Sequence, residues 1–389
     1  MARIAGGGRG SRREGVPCIS LPLVCRSAAV SDPPLILGAG PAGSMAAITL
    51  ARAGASPILI DRDAKVGDAL CGGFLSWRSA ERLRGIGLNL PDIGAHPVNR
   101  LALYAGAAEA QANLPETGYG LSRRGLDTAM RALAVASGAE LQIDRIRSLS
   151  PGAAEGERQD WRSDSIFLAA GKHDVRGYSR PRQSDDPALG LRIRIPAQAG
   201  LGELLAGKIE LHLFPGGYAG IVCQDDGSAN ICLALRKSML AGAGGDPRML
   251  LDRLADEHPH FGRRMAFAVP DLPIDSIGAV PYGWIAQRTE PGLFRLGDQA
   301  AVIPSLAGEG MSIALTSGAM AAKFWLEGGS SAAEHYQRAL ASAARRPVGV
   351  AKLIWETAES NRLGPPLVKL AGLAPWLTNL AMRASRIGA

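Results

Sequence analysis

Several kinds of residue are scarce in this chain of 389 residues, and each shortage excludes a class of protein. The five cysteines are an odd number, no Cys-x-x-Cys pair occurs, and no histidine stands at ligand spacing from a cysteine. We therefore expect no disulfide framework and no metal site, and a reducing, cytoplasmic compartment. Aromatic residues make up only 5% of the chain, which argues against a stacking surface for single-stranded nucleic acid. No apolar stretch of about 20 residues is present, so no membrane-spanning helix is expected.

The positive charge of the chain is concentrated near its beginning. Residues 1–30 contain five arginines and one glutamate, which is +4 of the total +7. Their Gly/Arg/Ser-rich composition favours a disordered leader or a start codon assigned too far upstream. A secretion signal beginning at Arg12-Arg13 is the alternative, but Pro17 and Pro22 interrupt its apolar stretch. The remaining +3, spread over residues 31–389, is typical of an ordinary protein surface. No motif for nucleic-acid binding occurs there.

The first informative motif is a glycine-rich turn between two apolar runs. Gly38, Gly40 and Gly43 form a Gly-x-Gly-x-x-Gly pattern, an Ala-rich stretch ends at Gly54, and a second apolar run ends at Asp61. This order predicts a βαβ unit in which the glycines permit the tight turn, the approach of a pyrophosphate and close packing of helix on strand. The helix N-terminus offers N–H groups to the pyrophosphate, and Asp61 can accept hydrogen bonds from a ribose. A βαβ unit that binds nothing is the alternative.

A second glycine-rich block follows much later in the chain. Residues 293–318 predict a strand that ends at Gly297-Asp298, then a loop, and then a helix that starts near Gly310. Such a turn presents backbone N–H groups to an anionic ligand.

Together these motifs resemble the glutathione-reductase-type FAD oxidoreductases, which include aromatic hydroxylases and geranylgeranyl reductases. The resemblance covers about residues 33–330. It implies that Asp298 binds the ribityl part of FAD and that the turn 304–310 lies near the pyrimidine edge of the flavin. It also implies that Arg124, at the start of a capped helix 122–138, reaches the FAD pyrophosphate. A solvated surface cation is the alternative for Arg124.

Two shorter motifs separate the branches of this family. Gly171 belongs to a segment that resembles the family's middle motif, but Ala170 stands where an aspartate is usual, so a direct NADPH contact there is not expected. Cys71-Gly72-Gly73 resembles the Cys-Gly-Gly turn of geranylgeranyl reductase-like enzymes, in which the cysteine lies beside the flavin. Cys71 is therefore a candidate catalytic residue, or else a small buried hydrophobe.

The complete set of expected cofactor-binding residues combines these motifs. It consists of Gly38, Gly40, Pro41, Ala42, Gly43, Asp61, Arg62, Cys71, Gly72, Gly73, Arg124, Gly171, Gly297, Asp298, Pro304, Gly308, Gly310 and Met311.

The segments between the motifs have their own pattern. Residues 188–235 alternate at period two and predict an antiparallel sheet with one covered face, laid over the flavin as an apolar pocket. Tyr218, Tyr282 and Trp284 are candidate substrate-lining residues, with ordinary sheet aromatics as the alternative. The apolar, weakly basic segment 365–383 predicts helices that cap this lobe or lie on a membrane surface.

The predicted fold is α/β: a glutathione-reductase-type FAD-binding Rossmann domain with an interleaved antiparallel substrate lobe and C-terminal helices. The predicted layout is 1–30 leader, 31–95, 119–184 and 275–330 FAD-binding, 96–118 and 185–274 substrate lobe, and 331–389 helical.

The function implied by the resemblance is FAD-dependent oxidation or reduction of a bulky apolar substrate of isoprenoid, lipid or polyketide type. NAD(P)H or another donor would reduce the flavin transiently, and hydride would pass to a double bond. The alternatives are a monooxygenase acting on an aromatic or polyketide substrate and a non-catalytic prenyl or lipid carrier of the same fold. The oligomeric state is not predicted.

Overall fold

The computed structural model describes residues 32–181, 184–360 and 362–387. The predictions made for the leader lie outside the described residues. The described strands are β1 (Leu35–Leu37), β2 (Ile58–Asp61), β3 (Phe74–Leu75), β4 (His96–Ala105), β5 (Ala108–Gly120), β6 (Glu140–Ile143), β7 (Ser148–Ser150), β8 (Ala153–Glu155), β9 (Asp160–Arg162), β10 (Ile166–Leu168), β11 (Ala188–Ile195), β12 (Lys208–Phe214), β13 (Gly217–Cys223), β14 (Ala229–Arg236), β15 (Asp275–Val280) and β16 (Leu293–Arg295).

The helices alternate with these strands and then follow them. They are α1 (Pro41–Arg52), α2 (Trp77–Gly85), α3 (Arg123–Ala136), α4 (Ala199–Leu205), α5 (Lys237–Ala241), α6 (Pro247–Glu257), α7 (Pro259–Met265), α8 (Gly310–Gly328), α9 (Ala333–Ala358), α10 (Gly364–Leu373) and α11 (Pro375–Ala384). Short 3-10 turns cover Leu90–Ile93, Gly297–Gln299, Ser305–Ala307 and Gly329–Ala332.

The first sheet is parallel, with five strands in the order β16-β10-β1-β2-β6. Strands β1 and β10 are buried along their whole length, as expected for strands covered by helices on both faces. The order along the chain reverses between β1 and β10, which is the switch point of a doubly wound fold. The predicted Rossmann architecture is therefore confirmed.

Helix α1 lies unusually close to β1. A Cβ atom built on Gly43 would stand 1.9 Å from the carbonyl oxygen of Gly38, so only glycine fits at position 43. Gly38 has φ +111°, which opens the turn between strand and helix. Gly54, at φ +86°, follows the end of the same helix. The three positions behave as the motif predicts.

The second sheet is larger and mixed, in the order β15-β11-β14-β13-β12-β4-β5-β3. The strands within residues 188–235 pair antiparallel, as predicted, but β12 also pairs in parallel with β4, with Lys208 opposite Arg100. Each of these two strands forms an antiparallel hairpin with its successor, and the hairpins join edge to edge. Side chains alternate with the same period in parallel and antiparallel strands, so periodicity could not reveal this pairing.

Two edge strands of the second sheet come from segments predicted to belong to the FAD-binding domain. β3 pairs with β5, and β15 pairs with β11. A third, three-stranded antiparallel sheet of β7, β8 and β9 is inserted before β10. The chain thus crosses between the layers more often than the predicted layout implies.

The C-terminal segment is helical, as its composition predicts. Helix α9 packs on α8, and both α10 and α11 pack on β5. None of the helices in the described ranges is long and apolar enough to cross a membrane.

Replacement of Gly43 by alanine tests the close approach of α1 to β1. Because the new Cβ would overlap the Gly38 carbonyl oxygen, we expect Gly43→Ala to lower the free energy of unfolding by about 3 kcal/mol or more. Gly349 in α9 is the matched control, since a Cβ there meets nothing within 4 Å. Gly349→Ala should be neutral or stabilising by up to about 1 kcal/mol. Denaturant unfolding followed by circular dichroism measures both, and equal effects would refute the argument.

Candidate functional site

A cavity of about 790 Å³ lies at the carboxyl ends of the parallel strands, beneath the second sheet. This is the usual place for a ligand in a doubly wound fold, and the volume is that of a small-molecule site. Most residues predicted from the motifs line it, namely Gly38, Gly40, Pro41, Ala42, Asp61, Arg62, Cys71, Gly72, Gly73, Gly171, Tyr218, Tyr282, Gly297, Asp298, Gly308, Gly310 and Met311.

The first glycine turn is held by the carboxylate that ends β2. Asp61 accepts a hydrogen bond from the backbone N–H of Ala39 through Oδ2, at 2.8 Å. Its Oδ1 lies 3.2 Å from the guanidinium of Arg131, which reaches across from α3. On the other side of the turn, a Cβ on Gly38 would stand 2.5 Å from the carbonyl oxygen of Ala169. The turn after β1 therefore lies closely against the ends of both β2 and β10.

Two helix N-termini meet at the cavity, and both suit an anionic ligand. Gly40 precedes α1 and Glu309 precedes α8, and neither helix receives a side-chain capping hydrogen bond. Their first N–H groups are therefore left for a ligand, with the positive ends of both helix dipoles beside them. A dinucleotide with one pyrophosphate and an electron-accepting ring fits this pair of uncapped termini.

The prediction for Arg124 needs a correction. Its side chain is 52% exposed, lies 3.7 Å from Asp226 and does not line the cavity. The preceding residue, Arg123, does line it, in a bidentate pair with Asp127 at 2.9 and 2.6 Å. Burial alone lowers the pKa of Arg123, but the Asp127 carboxylate outweighs this and raises it. One residue along a helix turns a side chain by about 100°, enough to move it from the cavity to the surface.

The strand-end carboxylate Asp298 has a cationic neighbour that the motifs did not reveal. Lys172 Nζ lies 3.5 Å from the Asp298 carboxylate. Burial alone lowers the pKa of Lys172, but Asp298 overcomes this and the net shift is upward. Arg180 supports the same region by donating to the backbone carbonyl of Asp298 at 3.2 Å. The middle motif thus supplies a lysine to the cavity, immediately after Gly171.

The Cys-Gly-Gly turn is anchored to the second sheet. Asn230 donates to the carbonyl oxygens of Cys71 and Gly72, at 3.0 and 2.9 Å. Gly73 has φ +72°, and a Cβ there would stand 2.2 Å from Gln224 Nε2. A second thiol, that of Cys232 on β14, also lines the cavity, and burial raises its pKa to about 12. Cys232 is therefore a neutral thiol in the cavity wall.

Three hydroxyl groups at the cavity are joined by hydrogen bonds. Tyr218 donates to Ser305 Oγ at 2.6 Å, and Tyr282 is hydrogen-bonded to the same oxygen at 2.7 Å. Burial raises the pKa of Tyr218 well above its ordinary value and that of Tyr282 to about 12, so both phenols keep their protons.

Two further residues predicted for the site lie outside the cavity lining. Trp284 is partly buried and packs against the apolar cluster beneath the second sheet. Pro304 is buried at the start of a 3-10 turn and sets the direction of the chain into Ser305. Gly43 also makes no cavity wall, because its part is the helix–strand contact described above.

The turn before α8 is closed by a residue far along the chain. Glu309 is fully buried, and its Oε1 lies 2.5 Å from the guanidinium of Arg386. Arg386 also donates to the carbonyl oxygen of Ala307 at 2.7 Å and stacks over the ring of Trp77 at 4.4 Å. Burial raises the pKa of Glu309, while Arg386 and Arg82 act in the opposite direction. No local sequence signal connects Arg386 to this turn.

Comparison with known proteins agrees with the geometry of the cavity. Residues 33–168 match the family model of an FAD binding domain. The chain is 28% identical to digeranylgeranylglycerophospholipid reductase 2 of Methanopyrus kandleri over 74% of this chain and 75% of the relative. It is 27% identical to menaquinone reductase of Mycobacterium tuberculosis, also over 74% and 75%.

The chain is similar to the superfamily of FAD-dependent oxidoreductases that includes geranylgeranyl reductases and aromatic-ring hydroxylases. The family resemblance, the cofactor FAD and the enzymatic function expected from the sequence are thereby confirmed. The alternative of a non-catalytic prenyl or lipid carrier is set aside.

Solved structures of the same fold come from more than one kind of enzyme. A geranylgeranyl bacteriochlorophyll reductase-like protein from Thermoplasma acidophilum superimposes with a TM-score of 0.63 at 18% identity, covering 90% of this oxidoreductase and 98% of that chain. A flavin-dependent brominase superimposes with a TM-score of 0.72 at 16% identity, covering 90% and 92%. At these identities the likeness extends to the fold alone.

Removal of Arg386 tests the closure of the turn. Arg386→Gln leaves Glu309 buried without its nearest cation, which should lower the free energy of unfolding by about 3–5 kcal/mol at pH 8. The unpaired carboxyl then takes up a proton in the folded state at a pH where the unfolded chain is ionised. Folded protein thus binds more protons, and the variant loses stability as pH rises through that window. The loss should therefore be smaller at pH 5 than at pH 8, in thermal unfolding of the holoenzyme.

Two further variants control this experiment. The double variant Glu309→Gln/Arg386→Gln removes both charges and should regain part of the stability, without the added pH dependence. Arg383→Gln changes an exposed arginine three residues earlier and should have no measurable effect. A Glu309→Gln change that fails to relieve the pH dependence would show that another group causes it.

Proposed function

We propose that this oxidoreductase reduces a double bond in a bulky apolar substrate of isoprenoid or lipid type. The observation that carries the proposal is that one cavity joins the glycine turns of the parallel sheet to an apolar wall on the second sheet. That wall consists of Ile209, Leu211, Leu233, Ile277 and Val280. The curated relatives, named as reductases of a digeranylgeranyl phospholipid and of menaquinone, support an isoprenoid substrate.

The residues around the cavity would bind two ligands, FAD and the apolar substrate. The uncapped N-termini of α1 and α8, with Arg123, would hold the pyrophosphate and the flavin, and Asp61 and Asp298 would bind the ribose and ribityl hydroxyls. The remaining predicted residues, Pro41, Ala42, Arg62, Gly171 and Met311, would line the same path. Bound FAD, once reduced by a donor, supplies hydride to the double bond.

Reduction of a double bond also requires a proton, and the hydroxyl chain is placed to deliver it. With Tyr218 donating to Ser305, the Ser305 hydroxyl can donate to the oxygen of Tyr282. The Tyr282 proton is then available to the cavity. Because the Lys172 ammonium lowers the pKa of Tyr282 against the effect of burial, it would stabilise the phenolate left after proton transfer. Tyr282 would act as the general acid, and Tyr218 and Ser305 would return its proton.

The electron donor is part of the proposal. We infer that NAD(P)H or another soluble donor reaches the flavin only transiently, because a single nucleotide fingerprint occurs in the sequence. The neutral Ala170 beside Gly171 offers no carboxylate for a nicotinamide nucleotide.

Anaerobic single-turnover experiments test the reaction class. The flavin is reduced anaerobically with NADPH, or with dithionite if NADPH fails. Its reoxidation is then followed anaerobically with a geranylgeranyl lipid or with menaquinone, and in a separate experiment after air is admitted. We expect the isoprenoid to reoxidise the flavin and to gain two hydrogens. A phenolic substrate that is hydroxylated in air, while isoprenoids leave the reduced flavin unchanged, would overturn the proposal in favour of a monooxygenase.

Replacement of Tyr282 by phenylalanine tests the proton source. Tyr282→Phe keeps the edge-to-face contact with Trp355 at 5.2 Å, so the fold and flavin reduction should be unchanged. Reoxidation by the substrate should slow by about 10²–10⁴-fold, the usual contribution of a general acid. Tyr119→Phe, which removes a hydroxyl outside the cavity lining, is the control. Equal reoxidation rates in the wild type and Tyr282→Phe would exclude this phenol as the acid.

The part played by Cys71 is tested separately. The backbone of its turn carries the contacts to Asn230, so Cys71→Ala should keep the turn in place. We propose that the thiol contacts the flavin and substrate, and we expect a lower rate of substrate-dependent reoxidation with unchanged FAD content. Unchanged turnover would remove Cys71 from the mechanism.

A further inference from the structure

The outer faces of α10 and α11 are unusually apolar for exposed helices. Leu370 and Leu373 on α10 are 49% and 86% exposed, and Trp376 and Leu380 on α11 are 66% and 56% exposed. Leu363, just before α10, adds a further exposed side chain, at 50%. Contiguous exposed apolar residues of this size mark interaction sites in soluble domains.

The opposite face of α10 is already buried against the protein. Val368 and Ala371 are buried and belong to the apolar cluster beneath the second sheet. The spacing 376, 380 and 383 places Trp376, Leu380 and Arg383 on one side of α11. Both helices therefore expose large apolar side chains to solvent, and α10 buries apolar residues on its other face as well. We call the exposed residues Leu363, Leu370, Leu373, Trp376 and Leu380 the outer stripe.

The charges carried by the segment that forms the outer stripe have one sign. From residue 360 onward the sequence contains no aspartate or glutamate, whereas Arg362, Lys369 and Arg383 are present and exposed. Arg386 does not contribute, because it is buried against Glu309. Apolar side chains flanked by exposed cations complement the surface of an anionic lipid bilayer, in which leucine and tryptophan insert and lysine and arginine contact head groups.

The helices that carry the outer stripe also adjoin the apolar end of the cavity. The cluster that contains Val368 and Ala371 includes Leu211, Tyr218 and Val280, which line the cavity. One continuous apolar cluster thus connects the buried side of α10 with the proposed substrate wall.

We propose that the outer stripe binds the surface of an anionic lipid bilayer and brings the apolar end of the cavity to the membrane. The proposal depends on the proposed function only for what the membrane would deliver, an isoprenoid lipid. Binding of the bilayer itself follows from the exposed side chains and their charge.

Flotation of the holoenzyme with lipid vesicles tests the proposal without any substrate. The vesicles are phosphatidylcholine alone, or phosphatidylcholine with 30% phosphatidylglycerol. We expect the wild type to float with the anionic vesicles, and at least tenfold less with neutral vesicles or at 0.5 M NaCl. No flotation, or equal flotation with both compositions, would overturn the proposal.

Three variants locate the surface. Leu373→Ser/Trp376→Ser removes exposed apolar groups and should reduce flotation at least tenfold, and Lys369→Glu/Arg383→Glu should do the same by charge. Met249→Ser, at a residue 60% exposed on α6, is the control and should float like the wild type. Flavin content and thermal unfolding show that each variant is folded. Flotation of either double variant equal to that of the wild type would place the contact elsewhere and overturn the proposal.

A change in the fluorescence of Trp376 provides an independent measurement. The emission difference between the wild type and Trp376→Phe should shift to shorter wavelength when anionic vesicles are added. If light scattering instead shows a dimer that Leu373→Ser/Trp376→Ser dissociates, the outer stripe joins two copies and the proposal fails. If the protein floats with anionic vesicles but reduces no isoprenoid, the membrane-binding proposal is supported and only the proposed reaction is refuted.

Discussion

The close contact between Gly43 and the carbonyl of Gly38 determines where every other part of the site can lie. It brings α1 onto the end of β1, and so directs the N-terminus of that helix into the cavity. Helix α8 in turn packs closely on α1, since a Cβ on Gly318 would stand 2.3 Å from the carbonyl oxygen of Ala42. Two glycines therefore allow two helices to point their N–H groups at one ligand. Larger residues at either position would separate the helices and open the site.

The glycine turns and strand-end carboxylates could be predicted because their chemistry is local. Gly38, Asp61 and Asp298 perform tasks that depend on a few neighbouring residues, and the structure places all three at the cavity. The limit of local information is visible at Arg123 and Arg124, where the motif identified the helix but not the residue that faces inward. Which of two adjacent arginines faces a cavity depends on how the helix packs, and the spacing of residues in one motif does not determine that packing.

The remaining features of the site depend on contacts between distant segments. Lys172 reaches Asp298 across 126 positions, and the parallel pairing of β4 with β12 joins residues over 100 positions apart. Neither has a signal in periodicity or composition, because each side alone is compatible with several partners. The tyrosines of the cavity were candidates from their residue type, but their shared contact with Ser305 becomes visible only when three segments meet.

The pairing of Glu309 with Arg386 also has a consequence for the order of events during protein synthesis. Arg386 hydrogen-bonds a carbonyl 79 positions earlier in the chain. While the ribosome is still adding the intervening helices, Arg82 can act on the Glu309 carboxylate, but the guanidinium of Arg386 is not yet beside it. The hydrogen bond and ion pair that Arg386 makes with this turn can therefore form only after residue 386 has emerged. The Rossmann strands can assemble well before then, so the contacts that secure this turn are among the last of the chain to form.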